Sequence, residues 1–179
     1  MRIITLLKKH AKAYASVNTG EIRFDPAFRA ACESNACGFY GACWMCPPDV
    51  GEVNALIAQA KSYDHALVFQ TVQEIADSFD IEGMNEASKT HNRLIFQLRR
   101  AAKRQGIDCL LLGAGACGGC KTCARKSGEP CVHPDRAVVP LEAAGVDVYH
   151  LAKLSGLPYI NGKNTVTYFG ALLFHGAIE

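Results

Sequence analysis

The stretch Leu110–Cys123 reads LLLGAGACGGCKTC, and its reading decides both the fold and the chemistry. With Cys109 before them, Leu110, Leu111 and Leu112 form a short apolar run that reads as a buried strand. Gly113-Ala-Gly115-Ala-Cys-Gly118 then matches G-x-G-x-x-G letter for letter, the pattern of a dinucleotide-binding turn. In the same loop Cys117, Cys120 and Cys123 fall at C-x2-C-x2-C, the opening of a bacterial ferredoxin run. A dinucleotide turn opens a helix whose N-terminus holds the pyrophosphate. Here Gly119 follows the last glycine and cysteines occupy the would-be helix. The acidic residue expected about 20 positions on is Asp135, in a Pro-flanked loop rather than at a strand end. The metal reading is the better of the two.

Outward from this loop, periodicity predicts the frame. Gly83–Gln105 is the longest predicted helix, stopped by Gly106, with a stripe of Met84, Ala87, Leu94, Leu98 and Ala102 that also carries His91. HALVFQTVQ (His65–Gln73) is a predicted strand. With Cys109–Leu112 these make a βαβ unit with parallel strands and a right-handed crossover. Upstream we read a helix over 2–14, an extended piece around Glu21–Phe24, a helix from Asp25-Pro26 into Cys32, a loop over 33–51 and a helix over Val53–Tyr63. Downstream come a loop over 114–140, a helix over Val146–Ser155 ended by Gly156, a turn at Asn161-Gly162 and a strand over Thr165–Phe174. The predicted fold is α/β: a single domain over residues 1–179, with a small mostly parallel or mixed sheet flanked by helices. Two long cysteine-rich loops carry the metal; loops of that length are usually functional.

Composition agrees. The 179 residues are 49% hydrophobic and 20% charged, as in one globular domain, with a net charge of +2. That charge is too mild to argue for nucleic acid or a membrane surface as partner. No window approaches the roughly 18 apolar residues of a transmembrane helix. The N-terminus breaks into Lys8-Lys9-His10 too early for a secretory signal, so the expected compartment is the cytoplasm. Nine cysteines, an odd count, argue there for metal ligands rather than disulfides.

Eight of the nine fall in two groups. Cys117, Cys120, Cys123 and Cys131 follow C-x2-C-x2-C-x7-C, three thiolates from one tight loop and a fourth to close the site. Structural zinc more often uses two separated C-x2-C knuckles. Gly118 and Gly119 let backbone amides approach a bound cluster, and Lys121, Arg125 and Lys126 outnumber Glu129 and Asp135 around it, which favours its reduced form. Cys32, Cys37, Cys43 and Cys46 follow C-x4-C-x5-C-x2-C, with Pro47 and Pro48 stiffening the exit. Four ligands would close a second cluster. Three, with Cys43 spare, would leave an iron open to substrate. An exchange, with Cys131 or Cys46 ligating the other group's cluster, is the third arrangement.

The segments ACESNACGFYGACWMCPPDVG, CGGCKTCARKSGEPCVHPDRAVVPLEAAGVDV and GLPYINGKNTVTYFGALLF resemble a cysteine-rich family of unknown function regarded as metal-binding. The resemblance spans most of residues 30–175. It implies metal binding through Cys32, Cys37, Cys46, Cys117, Cys120, Cys123 and Cys131. Cys43 departs from the family pattern, and the resemblance implies no reaction.

The remaining polar residues carry weaker expectations. His91 reads as a hydrogen-bonded interior histidine, and is also the best acid/base candidate. Cys109 reads as a small core residue, with a ligand role for the first cluster as the alternative. Tyr40 and Trp44 would pack over the first group and exclude water. Asp49, Glu142 and Asp147 could bind or protonate a substrate, or cap helices. His133 could bond a cluster sulfur. The leading functional expectation is two [4Fe–4S] clusters that transfer electrons with a redox partner protein. One alternative is an iron–sulfur enzyme with a three-cysteine open iron, doing reductive or lyase chemistry on a small-molecule substrate. The other is a zinc-binding structural adaptor.

Overall fold

A computed structural model describes residues 2–178. Five strands form one mixed sheet: β1 (Ala13–Asn18), β2 (His65–Glu74), β3 (Cys109–Gly113), β4 (Val139–Pro140) and β5 (Thr165–Phe174). Their order is β1-β2-β5-β3-β4. Five α-helices accompany them: α1 (Ile3–His10), α2 (Pro26–Ala30), α3 (Val53–Lys61), α4 (Ile81–Arg104) and α5 (Val148–Ser155).

The sheet is covered on both faces, so the buried stretches Ala66–Phe69, Leu111–Leu112 and Phe169–Phe174 of its central strands run without polar side chains. Ala66, Val68, Leu112, Phe169, Ala171 and Leu173 face one way, into a core shared with Ala60 of α3 and Leu151 and Ala152 of α5. Leu67, Phe69, Leu111, Leu172 and Phe174 face the other way, against α1 and α4. The predicted α4 stripe turns inward on this side: Ala87, His91, Leu94, Leu98 and Ala102 are buried, and Met84 at its start is half-buried. In the β2–β5 ladder Phe69 lies opposite Gly170, and a Cβ at 170 would sit 2.4 Å from the Phe69 ring. The bare glycine makes room for the aromatic side chain across the sheet.

Two expectations are corrected. Strands β2 and β3 do run parallel, but they are not neighbours: β5 lies between them, antiparallel to both. β5 is as apolar as they are, and takes the central position that buries both its faces. The parallel pair is instead β3 with β4, through Leu112–Val139 and Gly113–Pro140. The predicted helix over 2–14 ends at His10. Ala11 is extended, Lys12 N–H donates to the Gln70 carbonyl at 2.8 Å, and residues 13–18 become the edge strand.

Smaller boundary shifts follow from caps. Asp25 caps α2, accepting from Ala27 N–H at 2.8 Å, with Pro26 at the first helical position as predicted. The helix over 146–155 begins only at Val148, because Asp147 is its cap and accepts from His150 N–H at 2.9 Å. The extended piece at 21–24 reduces to a single bridge, Phe24 to Val146, after a short 3₁₀ turn over Thr19–Glu21. Among the described residues no helix is long and apolar enough to cross a membrane.

Candidate metal centre

The two cysteine loops meet at one end of the sheet. The chain leaves β3 at Gly113, runs through the second loop and returns beside β3 as β4, where Leu141 N–H donates to the Gly113 carbonyl at 2.8 Å. Both strands of this parallel pair therefore deliver their carboxyl ends to the same place, a common location for sites in open α/β sheets. No helix opens after Gly118; a 3₁₀ turn forms only at Ala124–Ser127. The element that would hold a pyrophosphate is absent from this turn.

The second loop is shaped by Gly118. Its φ is +64°, and a Cβ there would fall 2.3 Å from the Asn92 amide nitrogen of α4. Both the left-handed backbone and the close approach of Asn92 demand glycine. Gly119 lies against Cys117, with its Cβ position 3.4 Å from that Sγ. The Cys117 thiol is raised by burial, while amides of Val138 and Gly119 donate to it and oppose that shift. Burial likewise raises Cys120.

The first loop begins in a 3₁₀ turn over Ala31–Ser34, followed by Asn35 at φ 51°. Asn35 Oδ1 accepts from Tyr40 N–H at 3.0 Å, and the Pro47 carbonyl accepts from Gly41 N–H at 2.9 Å, which closes the loop on itself. The Pro47–Pro48 bond is cis. A turn closed by Cys46 N–H to the Cys43 carbonyl, at 2.9 Å, sets the last two cysteines side by side.

That turn parts them between two pockets. Cys46 lines a pocket of about 240 Å³ with Cys32, Cys37, Tyr40, Pro140 and Glu142. Cys43 lines a cleft of about 800 Å³ with all four cysteines of the second loop. Cys37 borders both. The Cys43 sulfur accepts from the Cys46 thiol and from the amides of Cys117 and Met45, and lies within reach of Cys123; these bonds bring it down to about 5. Cys46 is raised, first because its proton is held by Cys43 and then by burial. Burial raises Cys32, with the nearby Glu142 carboxylate adding to the effect.

A polar clasp joins the loops. Trp44 Nε1 donates to the Glu129 carbonyl at 2.9 Å, Arg125 Nε donates to Asp49 Oδ2 at 2.7 Å, and the Arg125 guanidinium lies 5.2 Å from the centre of the Trp44 ring system. Trp44 therefore packs on the second loop, not only over the first group. Asp49 is an ion-pair partner. Neither role has a local sequence signal, since Asp49 and Arg125 are 76 positions apart.

His91, Cys109 and Asp147 fall outside the two cysteine pockets. His91 is 1% exposed, hydrogen-bonded through Nδ1 to Thr71 Oγ1 at 2.9 Å and stacked on Phe69. Burial brings it down to about 4, with the Phe169 carbonyl partly opposing, and Nε2 meets no hydrogen-bond geometry among the described residues. Cys109 packs beside α4, in a groove on the far side of Gly119, and lines neither cysteine pocket. Its thiol is raised by burial. Asp147 caps α5 and pairs with Arg23 at 3.4 Å. His133 borders the larger cleft. All nine cysteines are free thiols. Among the described residues, no three His, Cys, Asp or Glu side chains converge tightly on a point for a single metal ion.

A thiol-lined pair of loops at the end of an α/β sheet defines a metal-binding class of protein. Comparison with family models agrees: a family described as predicted metal-binding protein (DUF2284) matches residues 15–174, and the chain belongs to it. No curated protein and no solved structure matches the chain.

Proposed function

We propose that the chain is a two-centre iron–sulfur protein that passes single electrons between a partner protein and a second acceptor. The observation that carries this reading is the grouping of Cys43, Cys117, Cys120, Cys123 and Cys131 around one cleft, with amides of Cys117, Met45, Val138 and Gly119 aimed at the sulfurs of Cys43 and Cys117. Amide donors to sulfur are how proteins tune an iron–sulfur potential. Structural zinc more often uses two separated C-x2-C knuckles, whereas the second loop carries three thiols at C-x2-C-x2-C. Thiolates at this pitch suit a polynuclear group.

In this reading Cys117, Cys120, Cys123 and Cys131 hold the second centre, and Cys32, Cys37 and Cys46 hold the first. Such centres supply one-electron chemistry when bound. The protein's own contribution is to fix the two loops together through Trp44, Arg125 and Asp49, and to supply amide donors. Asn92 and Gly118 keep the second loop seated on α4.

A second reading is favoured by a different observation. Cys43 faces the larger cleft, so the first pocket holds only three thiols. A centre held by three cysteines offers an iron as Lewis acid to a small molecule. Reductive titration of anaerobic protein, followed by electron paramagnetic resonance, tests the shared premise. Two distinct paramagnetic centres support it; a silent protein through full reduction defeats it. A signal that shifts on adding candidate substrates selects the enzyme reading over pure electron transfer.

A further inference from the structure

We propose that Glu142, and not Cys43, completes the first metal centre, as a carboxylate ligand beside Cys32, Cys37 and Cys46. The proposal rests on the iron–sulfur reading of that centre. Its basis is a division of side chains between two neighbouring pockets.

Cys43 has other partners. Cys43 itself lines the larger cleft with Met45, Cys117 and Cys123, and only its contact with Cys46 points toward the first pocket. It lies three positions from Cys46 and its sulfur meets that thiol, but the two residues line different pockets.

Glu142 is in the opposite situation. It follows β4 by two residues, so the parallel β3–β4 pair fixes its backbone at the pocket wall. Its side chain lines the pocket with Cys32, Cys37 and Cys46, close enough to Cys32 to act on its charge. Among the described residues it has no ion-pair partner, and its hydrogen bond is to its own amide. Arg29, a cation that acts on Cys32, donates to the Gly51 carbonyl at 2.6 Å. A carboxylate placed beside three thiols keeps its charge only where something positive joins it. A metal core supplies that charge, and the carboxylate supplies the fourth donor.

The consequence is chemical asymmetry. Thiolate is a soft donor suited to iron–sulfur clusters, while carboxylate suits harder ions. The iron held by Glu142 is therefore the exchangeable one, and the first centre differs from the second in having a labile corner.

The test compares wild type with Glu142→Gln, Glu142→Cys and Cys43→Ser, all purified anaerobically and treated with ferricyanide. The rate of iron loss and the three-iron paramagnetic signal are recorded. The second centre's reduced signal serves in each variant as a control for folding. Wild type and Cys43→Ser are expected to lose about one iron per chain at similar rates. Glu142→Gln should lose it at least tenfold faster, or arrive already lacking it. Glu142→Cys should resist. Unchanged kinetics in both Glu142 variants, or first-centre iron lost at least tenfold faster from Cys43→Ser than from wild type, overturns the proposal. Wild type without acid-labile sulfide brings down the iron–sulfur reading itself. That outcome is distinct from intact clusters that ignore Glu142.

Discussion

The two cysteine loops use similar numbers of thiols in different surroundings. The second gathers four cysteines of its own plus Cys43, is seated on α4 through Gly118 and Asn92, and has backbone amides aimed at Cys117. The first retains three cysteines in a smaller pocket that it shares with a carboxylate. The difference teaches that cysteine count and spacing do not fix a centre's ligand set. Direction does, and a single turn between Cys43 and Cys46 is enough to reassign a thiol from one loop's pocket to the other's.

The comparison breaks most visibly if one loop is disarmed. Cys117→Ser should remove about half of the bound iron and leave the first centre's signal intact, as read by iron analysis and paramagnetic resonance. Loss of both signals together would mean that the loops form one centre, not two.

A residue outside both loops gives the next largest effect. Buried His91 sits at about 4 in the folded protein, against about 6.5 unfolded. The folded value is depressed, so the neutral form is favoured by folding. That stabilisation is complete above the unfolded value and is lost as pH falls from about 6.5 to about 4. The loss amounts to about 3 kcal/mol. Denaturant unfolding at pH 7 and pH 4 should show wild type losing that much more than His91→Gln, with metal content at pH 7 alike in the two. Altered metal content in His91→Gln would tie the histidine to a centre after all.

Gly118→Ala is expected to cost about 2 kcal/mol through left-handed strain and collision with Asn92. Thermal unfolding should show the loss, and the second centre's iron should become the more labile of the two. Equal loosening of both loops would contradict their separate seating. The smallest effect belongs to the clasp. Arg125→Ala removes a partly buried ion pair and a cation–π contact, for about 1 kcal/mol. Limited proteolysis should then cut the loops sooner while both centres keep their metal.

Much of the frame was legible. The strand ending at Phe174, the α4 stripe and the three helix caps follow from periodicity and from Asp25, Asp147 and Gly156. β1 was not, because AYASVN is a half-exposed edge strand with small residues where an apolar alternation would show. The place of β5 between β2 and β3 was not either, since three strands apolar on both faces look interchangeable in sequence. At the site, spacing identified the thiols, but their division needed the turn at Cys43–Cys46 and the return of β4, which carries Glu142 to the first pocket. The clasp from Asp49 to Arg125 is a product of folding and leaves no local pattern.

The account stands most directly on one measurement: iron, zinc and acid-labile sulfide in wild-type protein purified without oxygen. Two four-iron centres predict about eight irons and eight sulfides per chain. Zinc with no sulfide would contradict the account.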